Sequence, residues 1–164
     1  MKRLILIRHA KAEPAEKANT RDVDRALSPR GQRDAQRMGQ WLGGIIPSVD
    51  RVIASPARRT RETAEELMRF WQPVPPAIEY VDRLYLPSLD EVWAVIWSFE
   101  PVWETVALIG HNPSISELRD ALTGTAHAPM PTCAIAVLRC QASSWAHVLP
   151  QRCSIEHYRT PAES

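Results

Sequence analysis

The sequence predicts an α/β fold with a mostly parallel central sheet and helices on both faces. Three observations carry this. Short, continuous apolar runs read as strands buried on both faces. Each run ends abruptly in polar residues able to do chemistry. Amphipathic helical patterns separate the runs, as a parallel sheet requires.

The runs are Leu4-Ile5-Leu6-Ile7, ending in Arg8-His9; Val52-Ile53-Ala54, ending in Ser55-Pro56; and Val106-Ala107-Leu108-Ile109, ending in Gly110-His111-Asn112-Pro113. Ser28-Pro29, Ser55-Pro56 and Asn112-Pro113 read as a capping residue followed by proline at the first helical position. Apolar residues recur behind each at helical spacing: Ala35, Met38 and Leu42; Ala64, Leu67 and Trp71; Ile115, Leu118 and Leu122. Ser88-x-x-Glu91 is a capping box, opening a helix that carries Leu89, Val92, Trp93 and Ile96 and ends before Pro101. Residues 73–76 read as a stiff proline loop, residues 78–81 as a short strand, and residues 134–138 and 146–149 as late strands, a possible hairpin. Residues 1–159 are expected to form one domain and residues 160–164 a disordered tail.

A chain of 164 residues, 45% apolar and 24% charged, has the composition of an ordinary globular domain with a sizeable core. A net charge of +1 gives no global pull toward nucleic acid or an anionic membrane. The apolar stretches are too short for a membrane span or a secretory leader, so the expectation is a cytoplasmic protein, with no nucleic-acid or membrane partner. The three cysteines, Cys133, Cys140 and Cys153, lack metal-site spacing and read as buried thiols in a reducing compartment. Oligomeric state is not legible.

In open α/β sheets, ligands bind beyond the carboxyl ends of strands. Here three such ends deliver Arg8 and His9, the 55–59 segment with Arg59, and His111. Singly, each piece is compatible with a turn, a cap or a solvated face. Together, two histidines and two arginines suit a phosphoryl group, since the guanidinium fork matches two phosphate oxygens.

These segments resemble the histidine phosphatase superfamily, and within it the short SixA-type phosphohistidine phosphatases. Arg8-His9-Ala10 is similar to the family's first motif. The stretch from Ser55-Pro56 through Arg59 to Thr63 is similar to its Ser-Pro-x-x-Arg-x-x-x-Thr, and Gly110-His111-Asn112-Pro113 to its third. Leu27-Ser28-Pro29-Arg30-Gly31 is similar to a family helix start. The likeness covers residues 3 to about 125. It implies a phosphoglycerate-mutase-like three-layer α/β/α sandwich, His9 as the phosphoryl-accepting nucleophile, and Arg8, Arg59 and His111 as ligands of the non-bridging oxygens.

A nucleophilic imidazole must be neutral, which an ordinary pKa near ~6.5 permits at neutral pH. No metal or other cofactor is expected. Asp82 is the first candidate for a general acid, with Glu13, Asp22 and Asp24 behind it. Lys11 could meet an anionic substrate. The absence of a clear acid favours a phosphohistidine in a protein, whose imidazole can leave neutral. The alternatives are a phosphomonoesterase acting on a small phosphorylated metabolite, and a non-catalytic phosphate-binding module on the same fold.

Overall fold

The protein was analysed as a computed structural model that describes residues 1–71 and 75–163. Six strands form one sheet in the order β3-β2-β4-β1-β5-β6. These are β1 (Lys2–Arg8), β2 (Arg51–Ala54), β3 (Ile78–Tyr80), β4 (Thr105–Gly110), β5 (Ile135–Cys140) and β6 (Cys153–Arg159). The first four run parallel. β5 pairs antiparallel with β1, and β6 antiparallel with β5.

The apolar runs are continuous because both faces of the sheet are covered. On one face Leu4, Leu6, Ile53, Val106 and Leu108 pack beneath α4 (Leu89–Trp97) and α5 (Ser114–Thr123). On the other, Ile5, Ile7, Val52, Ala54, Ala107 and Ile109 meet α2 (Pro29–Ile45) and α3 (Arg58–Met68). The result is a three-layer α/β/α sandwich. A one-turn helix, α1 (Ala15–Ala18), lies in the loop after β1.

Helix starts divide into two kinds. Ser28 caps α2 by accepting the Gly31 N–H at 3.0 Å, with Pro29 at the first position. Ser88 and Glu91 form the expected reciprocal capping box on α4. By contrast, α3 begins at Arg58, two residues later than a capping Ser55 would set it, and α5 at Ser114, one residue later than a capping Asn112 would. The residues read as caps are used elsewhere: Ser55 beside His111 Nε2 at 2.8 Å, and Asn112 as a side-chain bridge to the Met130 carbonyl at 2.9 Å. The Asn112–Pro113 peptide is cis.

The C-terminal third departs most from expectation. Residues 145–147 form a 3-10 turn rather than a strand, because Trp145 turns inward, fully buried, and donates from Nε1 to the Trp103 carbonyl at 2.7 Å. The last strand is β6, an edge strand with Ile155 and Tyr158 partly exposed, so it carries no apolar run. Cys140 and Cys153, expected as free thiols, face each other across the β5–β6 pair and form a disulfide, which leaves Cys133 free and buried. Where residues 160–164 were expected as a disordered tail, Pro161–Glu163 form a 3-10 turn, and the Pro161 carbonyl accepts from Arg37 at 3.4 Å; residue 164 lies outside the described residues. Of the proline loop, residues 73 and 74 lie outside the described residues. Among the described residues, no helix is long and apolar enough to cross a membrane.

Candidate active site

The carboxyl ends of β2, β4 and β1 lie side by side, and a cavity of about 350 Å³ opens above them. Arg8, His9, Lys11, Asp22, Arg25, Arg59 and His111 contribute to its lining. The four residues singled out at strand ends, Arg8, His9, Arg59 and His111, therefore meet in one place. His9, Arg59 and His111 are buried.

The chain turns sharply after β1, and the His9 N–H is held by the Gly110 carbonyl at 3.1 Å. The His9 ring then bonds its own neighbour: Nδ1 lies 2.8 Å from the Ala10 carbonyl oxygen. A carbonyl can only accept, so Nδ1 carries the proton and Nε2 is left with its lone pair. Burial, opposed by that backbone bond and reinforced by Arg59, Arg8 and Arg25, lowers the His9 pKa to about 4. The imidazole is neutral at physiological pH.

Ala10 is itself pinned. Its N–H donates to Thr63 Oγ1 at 3.0 Å, and Thr63 donates to the Arg59 carbonyl at 2.7 Å. The threonine four residues after Arg59 thus ties α3 to the loop that carries His9. Thr60, buried in the same helix turn, donates to the Ser55 and Ala57 carbonyls, both at 2.7 Å. Behind the loop, Gly31 lets α2 approach the Lys11 backbone so closely that a β-carbon would stand 2.0 Å from the Lys11 carbonyl oxygen.

His111 follows β4, and its ring centroid is 5.3 Å from that of His9. Nε2 is 2.8 Å from Ser55 Oγ, while Nδ1 is buried without a partner. Burial first, then the positive surroundings, lowers its pKa to about 3. Arg8 donates from Nη1 to the Met130 carbonyl at 3.0 Å. Arg59 donates from Nη1 to the Asp22 carbonyl at 2.8 Å and from Nη2 to Asp22 Oδ2 at 3.1 Å. In both arginines Nε is buried and unpartnered. Buried guanidinium protons without acceptors, beside a neutral imidazole, describe a cavity built for an oxyanion.

The candidate acids fare differently. Asp82 lies exposed in a 3-10 turn and does not line the cavity, so the structure does not bring it to His9. Asp24 pairs with Arg21 on the surface, and Glu13 contributes its backbone to Arg25 and Ala26. Asp22 does line the cavity. It accepts from Tyr85, Arg25 and Arg59, with the Tyr85 hydroxyl at 2.5 Å. The Tyr85 bond, followed by those arginines, draws its pKa down to about 2. Arg25 also lines the cavity, although the Asp-x-Asp-Arg loop that carries it looks in sequence like any polar turn. Among the described residues no group of three or more His, Cys, Asp or Glu is placed to hold a metal ion.

A neutral buried histidine and two arginines at the strand ends of a phosphoglycerate-mutase-like sandwich define a phosphatase. The chain belongs to the histidine phosphatase superfamily (branch 1), whose family model matches residues 4–85. It is similar to an uncharacterized protein of Mycobacterium tuberculosis, 33% identical over 165 residues, covering 94% of this chain and 99% of that one. Among solved structures it is similar to a protein described as the putative phosphohistidine phosphatase SixA from Nakamurella multipartitia. That match has a TM-score of 0.82 and 29% identity, over 98% of this chain and 96% of the other. A protein so described from Agrobacterium tumefaciens has the same TM-score at 26% identity, covering 98% of each chain.

Proposed function

We propose that the protein hydrolyses phosphohistidine on a protein substrate, through a phosphoryl intermediate on His9 Nε2. The observation that carries this reading is the state of the only carboxylate that lines the cavity among the described residues. Asp22, with a pKa of about 2 and its oxygens already engaged, holds no proton to give at neutral pH. An alkyl phosphate needs such a proton for its leaving alkoxide. A phosphohistidine protonated on its other ring nitrogen does not, since it departs as neutral imidazole.

In the first step the His9 Nε2 lone pair attacks phosphorus, the substrate P–N bond breaks, and its electron pair stays on the departing ring. His9 keeps its Nδ1 proton on the Ala10 carbonyl throughout. In the second step water attacks phosphorus, the P–Nε2 bond breaks toward His9, and the water's proton leaves with phosphate. Arg8, Arg59 and His111 stabilise the equatorial oxygens. This is where most of the rate acceleration in phosphoryl transfer resides. Lys11 and Leu86 are exposed on the rim, within reach of an approaching protein. The two neighbours described as putative phosphohistidine phosphatases support the same substrate class.

The test is a comparison of kcat/KM on a phosphohistidine-bearing protein, a phosphoserine peptide and a sugar phosphate. The first is expected to lead by orders of magnitude; a sugar phosphate in first place would make the enzyme a metabolite phosphatase. Rapid quenching should trap an acid-labile, alkali-stable label on the enzyme that His9→Ala abolishes. Persistent turnover in that variant would remove His9 as nucleophile.

A further inference from the structure

Asp22 stands at the centre of the pocket's hydrogen bonding, and its partners come from three separate segments. Arg59 is on α3, Tyr85 follows the 82–84 turn, and Arg25 follows the turn containing Asp22 itself. A guanidinium has two usable edges, one formed by Nη1 and Nη2 and the other by Nε and Nη2. On Arg59 the first edge is filled. Nη1 donates to the Asp22 carbonyl at 2.8 Å and Nη2 to its carboxylate at 3.1 Å. The second edge keeps the unpartnered Nε–H. The Arg59 side chain is 4% exposed and that of Asp22 43%, so the guanidinium is held in a dry setting by a carboxylate that itself reaches water.

Asp22 is fixed in turn. Oδ2 also receives the Tyr85 hydroxyl, and Oδ1 receives Arg25 Nη1 at 3.0 Å. Arg25 is anchored by Nε to the Glu13 carbonyl at 2.7 Å and lines the cavity. One carboxylate and one carbonyl therefore set the roll of Arg59 and the reach of Arg25.

We propose that Asp22 is a positioning residue, which occupies the outer edge of Arg59 so that the inner Nε–Nη2 edge is presented to the phosphoryl group. It touches the reaction only through the guanidinium and transfers no proton. The proposal rests on Arg59 binding the phosphoryl group, as proposed above.

The test is a double-mutant cycle with Asp22→Ala, Arg59→Ala and the double variant. The readouts are kcat/KM on phosphoramidate and phenyl phosphate, and the competitive inhibition constant of inorganic phosphate. Asp22→Ala is expected to lower kcat/KM by about 10²-fold, the scale of a misplaced catalytic group. The loss should be equal on the two substrates, with weaker inhibition by phosphate. In the Arg59→Ala background the same change should add nothing. Asp22→Asn, which keeps one acceptor oxygen, should fall between. A loss confined to phenyl phosphate would make Asp22 a general acid and overturn the proposal, as would an undiminished loss in the Arg59→Ala background. A loss in thermal stability alone, with phosphate inhibition unchanged, would reduce Asp22 to a structural role. If Arg59→Ala itself leaves rates and phosphate inhibition intact, the phosphoryl-pocket reading fails and takes this one with it. A loss in Arg59→Ala with none in Asp22→Ala overturns the Asp22 proposal alone.

Discussion

Ser55 Oγ lies 2.8 Å from His111 Nε2, and this contact joins the ends of β2 and β4 across the floor of the cavity. Ser55 Oγ already accepts the Ala57 N–H at 3.3 Å, which leaves its own proton free to donate to the ring. Donation to Nε2 places the imidazole proton on Nδ1, the nitrogen that is buried without a partner. In that tautomer the Nδ1 proton meets no acceptor among the described residues.

Ser55→Ala therefore strips the ring of its one partner. We expect a loss of about 1–3 kcal/mol in stability, the usual consequence of an orphaned buried polar atom. Weaker inhibition by inorganic phosphate should accompany it. Urea unfolding and inhibition constants, measured on the same preparations, check both. Unchanged inhibition would remove the serine from control of the tautomer.

Acid should destabilise the fold well before the carboxylates titrate. His9 and His111 have folded pKa values of about 4 and about 3, below the ~6.5 of an unfolded chain. Between these values the unfolded state binds more protons, so stability falls as pH drops from about 6.5 toward 4. For His9 alone the shift corresponds to about 3 kcal/mol. Asp22, with its pKa depressed to about 2, extends the same loss to lower pH. Denaturation midpoints at pH 7 and pH 4.5 test this, and His9→Asn should flatten the slope. A midpoint that rises on acidification contradicts the burial of neutral imidazoles.

Thr63→Val keeps shape and removes the hydroxyl that receives the Ala10 N–H. The cost should be about 1–3 kcal/mol. Because Ala10 also holds the His9 ring, kcat should fall as well, on every substrate alike. A variant that is less stable but equally active would confine Thr63 to the scaffold.

Gly31→Ala should be disruptive, because Gly31 is buried where α2 meets the Lys11 backbone. The new methyl collides with the Lys11 carbonyl, backbone against backbone, so either α2 or the loop after His9 must move. Overpacking of this kind costs about 1–3 kcal/mol or more. Thermal melts and kcat on one substrate suffice to check it. Gly44→Ala is the control, since nothing lies within 4 Å of a β-carbon there.

β1, β2 and β4 could be read because burial on both faces leaves uninterrupted apolar runs. β6 could not, because an edge strand with a half-wet face resembles a loop in sequence. Ser55 and Asn112 were legible as polar residues before proline, which is also what a cap looks like. Only the fold shows that their side chains turn toward His111 and Met130 instead. His9, Arg8, Arg59 and His111 stood out by position at strand ends, and they do converge. Asp82 stood out by position too, yet the 82–84 turn directs it to solvent. Asp22 could be named only as one of several loop carboxylates, since its partners Arg59 and Tyr85 are 37 and 63 residues away.

Three cavity side chains lean on main-chain oxygens: His9 on Ala10, Arg8 on Met130, and Arg59 on Asp22. A carbonyl is common to every amino acid, so substitution at position 10 or 130 cannot delete the acceptor; it can only alter the space around it. A saturation scan should thus find these positions limited by volume, with no demand for a functional group. The vulnerable operation is a change of chain length. A single-residue insertion or deletion in segments 10–14 or 126–132 would slide an acceptor out of register and disarm the pocket, with every one of its side chains still encoded.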